Sequence, residues 1–418
     1  MDARIGRLHA WCVPVELLPL DGVTVVAIEH AVAAPLATRH LADLGARVIK
    51  LERVGEGDFA RNYDSAVRGL ASHFVWLNRG KESVALDLKS PNGIAIAEEL
   101  IARADVFVEN LAPGAAQRLG FGADGLTARH PRLVVAGISG FGTGGARRER
   151  KTFDLLVQAE SGLVSVTGTP GTATKTGIPT ADIAAGSYAS QAVVAALFRR
   201  ERTGRGGAVD VSMFDATVEW LGHPMYMQMY GGRQVPRMGL SHASIAPYGA
   251  FPTADGEILI GVQNDRGWRA LVRDVLGRQD LVDDPRFATN PLRVAHRQEC
   301  DSVVAERTRG LTTAELDARL AAAGVPAAQV NDMAGLIDHP ELSERDRWRA
   351  VDTPAGPVRG LLPPITFRDV ELPMGAIPAL GAHTEAVLAE LGLDTAAIDR
   401  LEASGVIGRP AADHVPTV

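Results

Sequence analysis

The 418-residue sequence predicts an α/β protein, with a large Rossmann-like domain on a parallel sheet and a smaller α/β or α+β domain. Three observations predict it. Short β-branched runs alternate with longer helical patterns through the first third, and strands spaced that way form right-handed βαβ units. The pattern changes character near Gly231, where a smaller unit begins. Strand and helix patterns resume at Leu361–Phe367 and Ala382–Leu391 and return to the first domain. The large domain is therefore drawn as 1–225 with 345–418, and the linker and small domain as 226–344.

Val23–Ile28 reads as a buried strand, and Pro35–Leu44 as a helix stopped by Gly45. Val48–Leu51 and Val84–Leu88 are the second and third strands. Pro91 opens a helix through Ala102 with Ser90 as its N-cap. Asp105–Glu109 and Leu133–Ile138 are the fourth and fifth strands. A helix follows over Phe153–Thr167, then a Gly-, Thr- and Pro-rich loop as far as Asp182. Ala184–Arg199 is a small-residue helix suited to close packing, and Ala208–Ser212 a further strand. Met213–Tyr230 reads as a core or subunit-interface helix. Ile258–Val262, a helix around Trp268–Leu276 and a helix over Thr312–Ala323, capped by Thr312 or Thr313, belong to the small domain. Ala411–Val418 reads as a loose tail.

Composition narrows the function. Apolar residues at 46% and charged residues at 22% are ordinary for a globular chain. Lys and Arg total 43 against 50 Asp and Glu, a net charge of −7, which argues against a generally basic nucleic-acid binder but allows a local basic pocket. Cys12 and Cys300 are the only cysteines, so neither a disulfide framework nor a thiolate metal site is expected. No metal-binding His spacing and no G-x-S-x-G elbow occurs. No uninterrupted apolar run reaches the roughly 18 residues of a membrane span. Trp11–Leu20 is short and broken by Pro14, Glu16 and Pro19, unlike a signal peptide, so a cytoplasmic protein is expected.

Several positions could carry chemistry. The turn Glu29–Pro35 after the first strand lacks G-x-G-x-x-G, so the usual pyrophosphate cradle is missing. Glu52, ending the second strand, reads as a salt-bridge or surface acid before it reads as a ribose ligand. Arg53, Arg79, Lys81 and Arg118 fall at strand or helix ends, where they could bind a polyanion or form a solvated face. Gly140–Gly145 permits close backbone approach to a ligand, or simply mobility. Arg147, Arg148, Arg150 and Lys151 then lead to Phe153-Asp154. On its own Asp154 reads as a helix-opening acid, favourable by about 0.3–1 kcal/mol. His30, His223 and His242 read on their own as structural side chains.

Taken in order, Ala33-Ala34-Pro35, Leu44–Arg53, Leu77-Asn78-Arg79-Gly80-Lys81, Leu86–Lys89, Asp105–Asn110, Pro113-Gly114, Leu119-Gly120, Ser139-Gly140-Phe141-Gly142, Phe153-Asp154, Gly204-Arg205-Gly206 and Pro247-Tyr248-Gly249 resemble the class III CoA-transferase family, which includes formyl-CoA and carnitine CoA-transferases. The resemblance covers about Gly22 to Phe367. It implies an interlocked homodimer, with acyl-CoA and a carboxylate as small-molecule substrates. Coenzyme A would enter as substrate, with no permanently bound cofactor, metal, nucleic acid or membrane partner. It implies Asp154 as the catalytic nucleophile and Ala33, Arg53, Leu77, Lys81, Asn110, Arg118 and Phe141 as CoA-binding positions. Phe141 stands where members often have Tyr, and Ser139 where some have Lys.

On that reading Asp154 exchanges acyl and CoA groups covalently, and backbone N–H groups of Gly140, Gly142, Gly144 and Gly145 serve the oxyanions. Ser241–Tyr248 looks like the segment of members that use small dicarboxylic acids. The expected reaction moves CoA from succinyl-CoA to a C4–C6 dicarboxylate, with Arg233, Arg237 or His242 on the distal carboxylate. The glycine-rich loop of formyl-CoA transferases is replaced here by Met238–Ser244, against oxalate and formyl-CoA. An α-methylacyl-CoA racemase is the rival within the fold, but Phe153 holds the place of its His, and Asp182 would be its second acid. A CoA-binding protein without turnover is the rival from another class.

Overall fold

A computed structural model describes residues 17–410. The predicted tail, Cys12 and the first part of the Trp11–Leu20 stretch lie outside the described residues. The chain forms two compact units. Among the described residues, one comprises those up to Ser161, Gly177–Trp220 and those from Asp346 onward; the other comprises Gly162–Thr176 and Leu221–Arg345. Residues 162–176, which read in sequence as part of the large domain, thus group with the second unit.

In the first unit β1 (Thr24–Ile28), α1 (Ala33–Asp43), β2 (Arg47–Glu52), β3 (Lys81–Leu86), α2 (Pro91–Arg103), β4 (Val106–Glu109), β5 (Val134–Ser139), α3 (Asp154–Glu160), α4 (Thr180–Thr203) and β6 (Gly207–Ser212) follow in chain order. The sheet runs β3-β2-β1-β4-β5-β6, every neighbouring pair parallel. Ile407–Gly408 adds an antiparallel edge beside β3, so the sheet is mixed. Side chains alternate between two cores, as the period of a strand requires. Val25, Ala27, Val48, Val106 and Val108 pack with α1 and α4, while Val26, Ile28, Ile49 and Phe107 pack with α2 on the opposite face. Burial on both faces explains why these strands read as unbroken apolar runs.

The strand order reverses between β1 and β4, and in open α/β sheets ligands bind beyond the strand ends at that switch point. α4 packs along α1 through small residues. A Cβ on Gly186 would lie 2.5 Å from the Ala33 carbonyl, so only glycine allows this approach. α4 is longer than the predicted Ala184–Arg199, which brings Asp182 into its first turn. By length and composition it is the one helix among the described residues that could cross a membrane; here Ala181, Ala184, Ala185, Ala189 and Val193 are buried in the core. The predicted helix over Phe153–Thr167 is instead split. α3 stops at Glu160, and Gly162, at φ +90°, breaks the chain before a separate turn at Leu163–Val166.

The second unit contains α5 (Gly222–Gly231), β7 (Tyr248–Pro252), β8 (Glu257–Gly261), α6 (Asn290–Ala295), α7 (Arg297–Thr308) and β9 (Ala327–Gln329). Its antiparallel sheet, β9-β8-β7, covers a core of Ile258, Ile260, Trp268, Phe287, Cys300 and Leu316. The predicted cap holds: Thr312 and Glu315 form a reciprocal capping box. The Met213–Tyr230 stretch divides into Met213–Glu219 and α5, and α5 exposes Met225, Tyr226, Met229 and Tyr230.

Candidate active site

The switch point is built by a turn that uses Ala31, not glycine, in the left-handed region at φ +62°. A buried acid and an amide hold it there. The Ala31 N–H donates to Asp58 Oδ1 at 3.1 Å. The His30 N–H donates to Asn110 Oδ1 and Asn110 Nδ2 returns to the His30 carbonyl, both at 2.9 Å, tying the end of β1 to the end of β4. Beneath the turn lies a fully buried quartet. Lys50 Nζ donates to Asp58 Oδ2 at 2.9 Å and to Glu29 Oε1 at 3.3 Å, and Lys81 Nζ donates to Glu29 Oε1 at 2.7 Å. Two acids and two lysines balance. Burial pushes Glu29 up, but the two lysines, aided by Thr38, hold it down at about 2. Burial takes Lys81 down to about 8 against the pull of Glu29, whereas burial of Lys50 is outweighed by Glu29, Asp58 and Glu52, which raise it.

This arrangement corrects the sequence reading of the basic residues. Lys81 is not a free cation for a ligand: its ammonium also donates to the Pro35 carbonyl and Asn78 Oδ1. Arg79 is buried in a two-bond pair with Asp43, at 2.7 and 2.8 Å. Leu77 and Ala33 are buried as well, so their side chains serve the core. Arg53 and Arg118 remain solvent-facing, and Asn110 is half-buried. Glu52 is a buried salt-bridge partner of Arg61, and accepts from Ser83 Oγ. Burial raises its proton affinity, but Arg61, Lys50 and Ser83 bring it down to about 2.

Asp154 opens α3 behind Phe153, whose extended backbone starts the helix. The half-buried carboxylate reaches across to the head of α4. Oδ1 accepts the N–H groups of Ala181 (2.8 Å) and Asp182 (3.3 Å), and Oδ2 accepts Gln158 Nε2 at 2.6 Å. A negative charge is favoured at the first turn of a 24-residue helix. Asp182 stands beside it, and burial together with the Asp154 charge raises its carboxyl to about 7. Burial raises the Tyr63 phenol too, with the charges of Asp58 and Asp182 adding to it. Tyr63 continues into Phe59 (ring centroids 5.8 Å) and Phe59 into His30 (5.5 Å). An aromatic row, Tyr63–Phe59–His30, thus leads to the β1–β4 switch point. Sequence reasoning missed Gln158, Phe59 and Tyr63; only Gln158, four residues after Asp154 on one helix face, carries a local signal.

The Asp182 proton has a measurable consequence. The folded chain holds it up to about pH 7, whereas an unfolded Asp loses it near 4. The associated stability is full below about 4 and is lost as the pH rises to 7. Asp182→Asn removes this dependence. Its stability relative to wild type should therefore increase by about 2–3 kcal/mol between pH 5 and 8. Urea unfolding at both values reads it, and parallel pH slopes for the two proteins would refute the assignment.

The glycine loop is only partly available. Gly140 accepts from the Phe214 N–H and has Thr152 against its open side. The Gly142 N–H already donates to Ser139 Oγ at 3.0 Å, so it does not face an oxyanion as the sequence suggests. Gly144 and Gly145 are exposed, and the Phe141 ring packs near Phe214 with Arg147 at 5.8 Å. In the second unit each nitrogen of the Arg237 guanidinium donates to a main-chain carbonyl, of Ser165, Thr169 or Pro170. Arg233 is exposed, and His242 stacks on Tyr248. No group of three or more His, Cys, Asp or Glu able to hold a metal ion occurs among the described residues.

Comparison with known proteins identifies the chemistry of this fold. The model of CoA-transferase family III matches residues 20–384. The chain belongs to CoA-transferase family III. Among its relatives, the succinyl-CoA:glutarate CoA-transferase of Homo sapiens is 33% identical over 394 residues, covering 93% of this chain and 90% of that protein. The acetyl-CoA:oxalate CoA-transferase of Acetobacter aceti is 36% identical, covering 82% and 89%. A CAIB/BAIF family protein from Brucella suis superposes with a TM-score of 0.79 at 36% identity, covering 90% of this chain and 99% of that one. This family III enzyme moves CoA between an acyl-CoA and a carboxylate, with CoA as substrate.

Proposed function

We propose that the enzyme transfers CoA from succinyl-CoA to a C4–C6 dicarboxylate through a thioester on Asp154. The observation that carries this reading is the Asp154 carboxylate at the head of α4, held by two backbone N–H groups and by Gln158. One carboxylate oxygen attacks the thioester carbonyl, the C–S bond breaks, and CoA leaves as thiolate with a mixed anhydride on Asp154. The thiolate attacks the aspartyl carbonyl, and succinate leaves with the anhydride oxygen. The acceptor carboxylate then attacks the aspartyl thioester, and the returning thiolate takes the acceptor's acyl group and frees Asp154. No net proton moves, so the route needs no general base. The N–H donors around Asp154 suit oxygens that gain charge in each step. Asp182, holding its proton to about 7, keeps the site from carrying two adjacent negative charges.

The exposed Arg53 and Arg118 suit the phosphates of CoA. The human relative's name supports a dicarboxylate exchange. A homodimer accounts for the exposed Phe153, Phe198, Tyr226 and Tyr230. Racemisation of an acyl-CoA is the second reading, because Asp182 titrates where a proton carrier should.

Intact-mass spectrometry after incubation with succinyl-CoA tests the route. Wild type should gain a covalent CoA adduct and Asp154→Ala should not, while native spectra read a two-chain mass. Absence of an adduct across a donor panel, with α-proton exchange into deuterated water, would replace transfer by racemisation.

A further inference from the structure

The two oxygens of Asp154 are held differently. The N-cap of α4 is Pro179, whose side chain offers no acceptor to the first turn. Asp154 fills that place from another helix. Its Oδ1 takes the Ala181 N–H at 2.8 Å and the Asp182 N–H at 3.3 Å. Oδ2 takes Gln158 Nε2 at 2.6 Å. Gln158 lies one turn along α3 and is fully buried, as is Ala181. Its Nε2 also lies 3.5 Å from the Ile178 carbonyl, which accepts the Thr180 N–H at 2.8 Å. A carboxylate and a carbonyl are both acceptors, so the NH₂ of Gln158, not its oxygen, faces them. The turn that gives two N–H groups to Oδ1 therefore also anchors the donor on Oδ2.

An aspartyl exchange needs its two oxygens to do different work. The oxygen that attacks the thioester bonds to the acyl carbon as the C–S bond breaks, and becomes the bridge of the anhydride. When the thiolate sulfur bonds to Cγ, the bond from Cγ to that oxygen breaks and it departs with succinate. No net proton or electron moves. The other oxygen stays on Cγ and carries the negative charge of each tetrahedral intermediate formed there. Two backbone N–H groups at the head of a long helix suit that second task, because they are in place before the charge grows. A side-chain amide suits the first. Its bond costs Oδ2 some nucleophilicity, but it aims the oxygen and meets the charge that returns as the carboxylate leaves.

We propose that Asp154 Oδ2 is the attacking and exchanging oxygen, positioned by Gln158, and that Oδ1 remains the carbonyl oxygen, with the Ala181 and Asp182 N–H groups as its oxyanion hole. This assignment rests on the aspartyl-thioester reading above. It puts the donors for charge at Cγ on the head of α4 rather than on the glycine loop.

The test follows the CoA adduct by intact mass in wild type and Gln158→Met at saturating succinyl-CoA. Methionine keeps the length of the side chain and removes the donor. The adduct should form about 10- to 100-fold more slowly in the variant, with the half-saturating succinyl-CoA concentration little changed. A purely structural Gln158 would lower the urea midpoint and leave the rate per folded molecule as in wild type, which overturns the positioning role. The infrared carbonyl stretch of the thioester reads the oxygen assignment, in protein labelled with ¹³C at the aspartate side-chain carboxyl. Its frequency should be the same in both proteins, because the two N–H donors on Oδ1 remain. A shift to higher frequency in the variant would place the carbonyl under Gln158 and overturn the assignment. Gln158→Asn, whose amide is one methylene short of Oδ2, gives the same two readings where the methionine variant fails to fold. A wild type that forms no adduct with any donor removes the thioester route itself, whereas an adduct formed equally fast by wild type and variant removes only this assignment.

Discussion

Asp154→Asn is expected to lower kcat for CoA transfer by roughly 10⁴-fold or more, the scale on which removal of a nucleophile acts. The substitution is nearly isosteric, and the structure indicates how the site would survive it. The side-chain oxygen still accepts from the Ala181 and Asp182 N–H groups, and the Gln158 amide can turn to present its oxygen to the new NH₂. Lost are the charge and the nucleophilic oxygen. Acyl-CoA KM should change little, because the switch-point turn and the exposed Arg53 and Arg118 proposed for CoA are untouched. With the Asp154 charge gone, Asp182 also loses one of the two causes that raise it, leaving burial alone. Steady-state assays with succinyl-CoA and glutarate read the first effect. A kcat within about tenfold of wild type would show that the carboxylate takes no covalent part.

The same two residues show how far the sequence reaches. The alternation of strands and helices was enough to order β1 to β6, because each βαβ unit is local and its handedness is constrained. The sequence marks Asp154 as a candidate nucleophile through its place after the glycine loop, within a resemblance spread over the chain. Its hold on the head of α4 was not, since Ala181 lies 27 residues away and a backbone N–H leaves no mark on composition. The basic residues failed for a related reason. At a strand end Lys81 and Arg79 look available, yet their partners Glu29 and Asp43 are 52 and 36 residues distant. The register of β1, β2 and β3 brings Lys81 to Glu29, and α1, packed on that sheet, carries Asp43 to Arg79. Gly162 hid in a sequence that otherwise continues a helical pattern; its positive φ, set by the fold, ends α3 and sends the next segment to the second unit.

Lys50→Met should destabilise the protein by about 3–5 kcal/mol at pH 7.5, far more than loss of an exposed pair such as Arg103–Glu99, where about 0–1 kcal/mol is expected. Methionine matches the lysine stem in length, so the effect isolates the charge. Lys50 is buried between Glu29 and Asp58, and without it two carboxylates share the cavity with Lys81 alone. One acid must then stay ionised without a full partner or take up a proton. The sign with pH follows. Glu29 is held at about 2 by the lysines, so it favours folding above the ordinary carboxylate value and loses that benefit as the pH falls through its folded one. In the variant its folded value moves up, and part of the destabilisation disappears as the pH drops from 7.5 to 5.5. Function should suffer as well, because Asp58 spans Lys50 and the left-handed Ala31 turn at the switch point. Urea unfolding at the two pH values, with acyl-CoA binding measured on the folded fraction, checks both. A loss below about 1 kcal/mol would mean that the quartet repacks around the methionine and that the turn does not depend on its charges.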